Sequence, residues 1–199
     1  MRPRKFGDAG QAFPIYITVV GGLLFLALAY LAVGQAAANR NGAQTAADAA
    51  ALAAAQDRRD QLAGEWVKSL IDPTEWQAIF DGDAPLADTS CLRAEQLAAQ
   101  NNADVLACEA LGLLEYQVEV RSNVPVGDSI VPGTENTYAT ATATAVIEAR
   151  CTFDLPVGGT EDDVLPQLNC DGDVWDLDPD DAEELLPEPH DLFDVHLAD

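Results

Sequence analysis

The residues of this chain best suited to chemistry are four cysteines, Cys91, Cys108, Cys151 and Cys170. Their spacing is wide and no Cys-x-x-Cys pair occurs, which argues against a zinc or dithiol redox site. All four lie beyond an apolar N-terminal run, so they read as two disulfides in an oxidising compartment. Three connectivities exist, and Cys91–Cys108 with Cys151–Cys170 costs the least in loop closure. The acidic series Asp171, Asp173, Asp176, Asp178 and Asp180 is the next candidate, as a calcium loop. An EF-hand needs Gly at its sixth position and Glu at its twelfth. Counting from Asp171, those places hold Asp176 and Ala182; counting from Asp176, they hold Asp181 and Pro187. Neither frame fits, and no metal is expected. His190 and His196 are off ligand spacing for one helix face and read as solvated.

No GxSxG elbow, HExxH helix, P-loop or framed pair of carboxylates is present. The chain is therefore expected to be a non-enzyme, with no catalytic residues, no cofactor and no small-molecule substrate. The formal net charge is −24, from 34 acidic against 10 basic residues. That balance argues against nucleic acid as a partner, because phosphate binding needs a basic surface.

The element that positions everything else is the run FPIYITVVGGLLFLALAYLAV at residues 13–33, with the alanine-rich stretch that follows it. No charge falls between Asp8 and Arg40. As a helix the run is ~32 Å long, a match to a bilayer hydrocarbon core of ~30 Å. Only a helix or a closed barrel satisfies its backbone in lipid, so this is one spanning helix, and the bilayer is its first partner. Gly21 and Gly22 within it permit close helix contact. Arg2, Arg4 and Lys5 precede the run, which places the N-terminus in the cytoplasm and the rest outside the cell. The competing reading is a secretory signal cleaved after Ala36-Ala37-Ala38. The apolar run exceeds the ~7–15 residues of an ordinary signal core, so a retained single-pass anchor in the cell membrane is expected.

Twelve of the twenty residues from 36 to 55 are alanine, the best helix former, so the helix should continue into water. Leu52, Leu62, Trp66 and Leu70 keep a helical period, and Pro73 ends it. Ala43, Ala47, Ala51 and Ala55 recur every four residues, with Ala46, Ala50 and Ala54 beside them. Such a row lets another element approach closely. It reads as a helix-packing interface, for other subunits or for the chain's own outer domain, or else as plain helix filler. Asp48 among the alanines reads as solvated.

The pattern GQAAANRNGAQTAADAAALAAAQ, preceded by GDAGQAFPIYITVVGGLLFLALAYLAV, resembles the N-terminal region of TadG- and TadE-like proteins of the tight-adherence (Flp) pilus system, in the form seen in actinobacteria. Residues 7–57 carry the resemblance, and AQTAADAAALAAAQ directly after a span is its most specific part. It implies a membrane-anchored pilus-assembly protein or minor pilin-like subunit, with other Tad/Flp subunits as partners and no catalytic residue to carry over. Subunits of this system cut by a prepilin peptidase resemble Gly followed by an acid at the fifth mature position. Here Gly7 and Gly10 place Ala12 or Ile15 there, so the uncleaved TadG-like case is expected.

Beyond Pro73, PTEWQAIFDG suggests a turn or two of helix, and Asp88 or Ser90 can cap a second helix through LRAEQLAAQ. Residues 114–126 and 137–149 alternate as half-buried strands, an antiparallel pair joined by a loop at 127–136. Leu111–Leu114 could extend the first strand. A two-stranded sheet is marginal alone, so it should pack on the Leu62, Trp66 and Leu70 side of the long helix. Residues 154–199 hold 16 acids and neither Lys nor Arg, which predicts a largely extended acidic tail. A helical turn at DDAEELL and a weak apolar anchor at LFDVHL are its only ordered candidates.

The fold class is thus α+β and membrane-anchored, with a long N-terminal helix, a small helix-plus-antiparallel-hairpin domain and a mostly disordered tail. The divisions are a stub at 1–12, a span at 13–35, an alanine-rich outer helix at 36–72, a small domain at 73–153 and the tail at 154–199. The expected function is non-catalytic, in tight-adherence pilus assembly or as a minor pilin-like subunit, through helix packing with other subunits. The alternative is an anchored or shed extracellular binding protein, whose acidic tail contacts wall polymer, cations or an exported partner.

Overall fold

Alanine content and the absence of internal proline past Pro14 produce one unbroken helix, α1 (Ala12–Lys68). A computed structural model describes residues 12–125, 136–155, 165–178 and 185–198. The basic stub with Arg2, Arg4 and Lys5 lies outside them. Past Lys68 the backbone tightens, with Ser69 N–H donating to Glu65 O at 3.0 Å and Leu70 N–H to Val67 O at 3.3 Å, before Pro73. The short helix α2 (Trp76–Phe80) follows, then α3 (Ser90–Gln100).

Helix α3 lies antiparallel beside α1. Its N-terminal end meets residues 57–61, while Asn101 and Asn102 just past its C-terminal end share a groove with Gln35 and Gly42. Neither Asp88 nor Ser90 caps it, contrary to expectation; Thr89 is the N-cap residue. The hydroxyls of Thr89 and Ser90 donate instead to Asp57 Oδ2, at 2.9 and 3.2 Å, and Gln61 Nε2 donates to the same oxygen at 2.7 Å. A carboxylate accepting three donors holds the two helices together where alanine leaves no side chain to interlock.

Strands β1 (Ala103–Ala110), β2 (Glu115–Pro125) and β3 (Tyr138–Ala149) form an antiparallel meander, and β7 (Phe193–Leu197) pairs with the far edge of β3. The alternation in β2 and β3 buries Tyr116, Val118, Val120, Ala143, Ala145 and Ile147 in one core with α1. The expected hairpin is therefore the centre of a four-stranded sheet. Leu111–Leu114 do not extend β2: they make the turn from β1, closed by Leu111 N–H donating to Glu115 O at 3.0 Å. The loop expected at 127–136, with Pro132 and Gly133, lies outside the described residues except for Asn136.

Gly82 seats that turn. Its φ is +83°, and a Cβ there would stand 2.8 Å from Leu114 Cδ2 and 2.9 Å from Leu113 Cβ. Left-handed backbone costs an L-residue about 1–2 kcal/mol before any contact is counted. Gly82→Ala should therefore lose about 2 kcal/mol of stability, read as a lower denaturation midpoint of the full chain in detergent.

The acidic tail is corrected in its described parts. Strands β4 (Cys151–Phe153), β5 (Leu168–Cys170) and β6 (Asp173–Trp175) make a second antiparallel sheet, and α4 (Pro189–Leu192) leads into β7. Asp171 (φ 52°) and Gly172 (φ 100°) form a two-residue turn that pairs Cys170 with Asp173. Both central residues at positive φ is the turn that suits the twist of a hairpin, and Asp-Gly supplies it. The acids do not prevent this, because Asp171, Asp173, Asp176, Asp178, Glu188 and Asp194 are exposed while Leu168, Leu186, Leu192 and Phe193 are buried. The proposed turn at DDAEELL lies outside the described residues apart from Leu185 and Leu186.

The core is largest far from the apolar half of α1. Trp66 meets Trp76 with ring centroids 5.4 Å apart; Trp76 meets Phe153 at 5.2 Å, and Phe80 meets Phe193 at 5.5 Å. Leu62, Trp66 and Leu70 are buried here, with α2 and the second sheet contributing partners that the hairpin alone would not supply. Disulfides staple both halves of the head: Cys91–Cys108 joins α3 to β1, and Cys151–Cys170 joins β4 to β5.

Candidate functional site

Ala43, Ala47, Ala51 and Ala55 are 1%, 0%, 0% and 0% exposed. So are their neighbours Ala46, Ala50 and Ala54, all at 0%. The chain's own sheet and α3 cover them, with Ala94 and Ala98 buried on the α3 side. A methyl group is the smallest side chain that keeps helix propensity while letting a neighbouring backbone close in. Of the openings left by the sequence, the outer domain of the same chain takes this stripe. Covered in this way, the four residues present no exposed face to other subunits in this structure. Asp48 accepts from Gln44 Nε2 at 2.7 Å across one helical turn.

What α1 does present is its other half. Among the described residues nearly all of 13–33 is exposed, with Phe13, Phe25 and Tyr30 at 71%, 71% and 83%. The helix is long and apolar enough to cross a membrane. The surface Phe-Ile-Val-Leu series would be costly in water and is favourable in lipid or against another apolar helix. A Cβ added at Gly21, Gly22 or Gly34 would meet nothing within 4 Å.

The charged candidates do structural work. Arg150 stands where β3 turns into β4. Its Nε donates to Asp171 Oδ2 at 2.7 Å, its Nη1 donates to His190 O at 2.9 Å, and its backbone N–H donates to Leu192 O at 2.9 Å. The hydrogen bond to Asp171 raises the guanidinium pKa above its ordinary value. One cation thereby ties the β5–β6 turn and α4 to the end of the main sheet. The sequence signal for it is position: Arg150 is the last base before 16 acids. Asp176 accepts from Gln167, and Asp180 lies outside the described residues. Among the described residues, no three of His, Cys, Asp and Glu are grouped to hold a metal ion. His190 is exposed near Glu188 (3.3 Å), and His196 lies near Asp194 (3.1 Å). Asn39, which sequence reading passed over, binds the end of β2 from the base of the head; the break from alanine to Asn-Arg-Asn-Gly marks it.

A bare apolar helix continuing into a disulfide-stapled head defines a membrane-anchored protein with one N-terminal span. Residues 10–57 match the Tad family model, described as putative Flp pilus-assembly TadE/G-like, so this segment is similar to that family. The match covers the apolar half of α1 and the alanine stretch, about a quarter of the chain. Comparison with curated proteins and with solved structures gives no match.

Proposed function

We propose that the chain is a non-catalytic, single-pass component of Flp-type pilus assembly or a minor pilin-like subunit, of the actinobacterial type. The N-terminus is cytoplasmic and the head extracellular, following the basic residues ahead of the span. The observation that carries the reading is that one helix is TadE/G-like in sequence and bare over its apolar half. A rod whose apolar side chains have no partner within the chain can lie in lipid and also pack with like rods of other subunits. Helix packing with those subunits is thus assigned to the span rather than to the alanine stripe, with Gly21 and Gly22 allowing close approach. The alternative of an extracellular binder acting through a loose acidic tail loses support, because the described tail segments build the head.

Deleting the gene in its own host should abolish surface piliation, and the full chain should restore it. A chain whose residues 13–33 are replaced by leucines should reach the membrane without restoring pili. Normal piliation in the deletion strain would refute the pilus role. Full rescue by the leucine span would reduce the span to an anchor.

A further inference from the structure

The end of the head nearest the span is closed by Asn39. Its Nδ2 donates to the carbonyls of Val124 and Pro125, both at 2.9 Å, and so clamps the end of β2 to α1. Tyr138, the first residue of β3, is the register partner of Pro125. A groove of about 460 Å³ opens at this base between α1, the end of α3 and the end of β2. Val124 is 55% and Tyr138 43% exposed, and Arg40 is exposed one residue beyond the clamp. The neighbouring Asn101, Asn102, Ser122 and Asn123 are uncharged, and the nearby Asp104 accepts from Asn123 Nδ2 at 3.3 Å.

Asn39 follows the last residue of the apolar run, Val33, by six positions, a rise of about 9 Å along a helix. The polar layer on each side of a bilayer is about 5–7 Å thick. Among the described residues the head is therefore clamped to α1 about 2–4 Å beyond that layer, a gap that the Tyr138 and Arg40 side chains are long enough to bridge. The surface offered there has the chemistry of an interface: an exposed valine, a tyrosine with an apolar ring and a polar tip, and an arginine for phosphate.

We propose that the base of the head, Val124, Pro125 and Tyr138 with Arg40, rests on the outer edge of the headgroup layer of the bilayer, with phospholipid headgroups as its partner. This rests on residues 13–33 being a membrane span. Docking fixes the tilt and rotation of the head, which a single helix alone leaves free.

The test uses the full chain with Tyr138→Trp in vesicles of phosphatidylcholine and phosphatidylglycerol that carry a headgroup-spin-labelled lipid. Trp66 and Trp76 are buried in the far core and Trp175 is half-buried in β6, so the wild type, carrying all three, supplies the background. Emission added by the new tryptophan should be mostly quenched. A two-turn alanine insertion after Gly34, lifting the head about 11 Å, should remove the quenching. Val124→Trp, at a more exposed neighbour, should repeat both results. Unquenched emission from chains that co-sediment with the vesicles would overturn the proposal and leave the anchor standing. Quenching that survives the insertion would overturn it too. Protection of position 138 from solvent without quenching would assign the base to another protein or a second copy, and also overturn it. Failure to co-sediment would remove the anchor, and the docking with it.

Discussion

Phe193→Ala should unfold much of the head. Phe193 is 0% exposed, stacks with Phe80 at 5.5 Å, and opens the strand that completes the main sheet. Removing a buried phenylalanine costs about 3–5 kcal/mol, against a whole-domain stability of about 5–15 kcal/mol. The variant should insert in membranes normally yet become protease-sensitive beyond residue 68. Thermal melting in detergent, followed by near-ultraviolet signal from the Trp66–Trp76 pair, measures the loss. A melting temperature within a degree or two of wild type would show that the tail is not part of the core. The same comparison decides the fate of a chain truncated before β5, which should fail in the same way.

Ala47→Leu with Ala51→Leu should be nearly as damaging, and for the opposite reason. Both positions are 0% exposed between the sheet and α3, with no space for three added carbons. Overpacking costs about 1–3 kcal/mol at each site, whereas helix propensity barely changes. The double variant should lose abundance and stability before any partner is considered. Ala36→Leu with Ala37→Leu, on exposed positions of the same helix, should leave stability near wild type. Equal melting temperatures for the two pairs would mean that the head does not close on α1 as described.

These two outcomes also mark what could be read in the sequence. The long helix was legible because its causes are local: a charge-free run, alanine, and a proline beyond its end. The β2–β3 pair was legible from strict alternation, while its register, with an irregularity between Arg121 and Pro125, was not. The pairing of cysteines followed from loop length alone. The tail was not legible, because composition was averaged over residues 154–199 and hid short segments with their own pattern. Leu168, Leu192 and Phe193 are buried by α1, α2 and the sheet, contacts that no local rule contains. Two signals were nonetheless present: Asp-Gly between strand-like residues, and FDVHL, which alternates as an edge strand should. The four-residue recurrence of alanine left open what would cover the stripe, and the fold buries it against the sheet and α3 of the same chain.

The pairing of β7 with β3 has a bearing on how the protein is made. Ala145 pairs with Leu197 and Ala149 with Phe193, so the ribosome delivers β7 about fifty residues after its partner. Until then β3, a run of threonine, alanine and valine, offers an open row of unpaired backbone groups, the template on which chains add to one another. α1, α3, β1 and β2 can assemble early from contacts close in sequence, but the sheet stays sticky along one side during biogenesis. A nascent chain close to others of its kind is at greatest hazard in that interval. Closing that edge is the last step in folding the head, and whatever delays β7 lengthens the time the edge stays open.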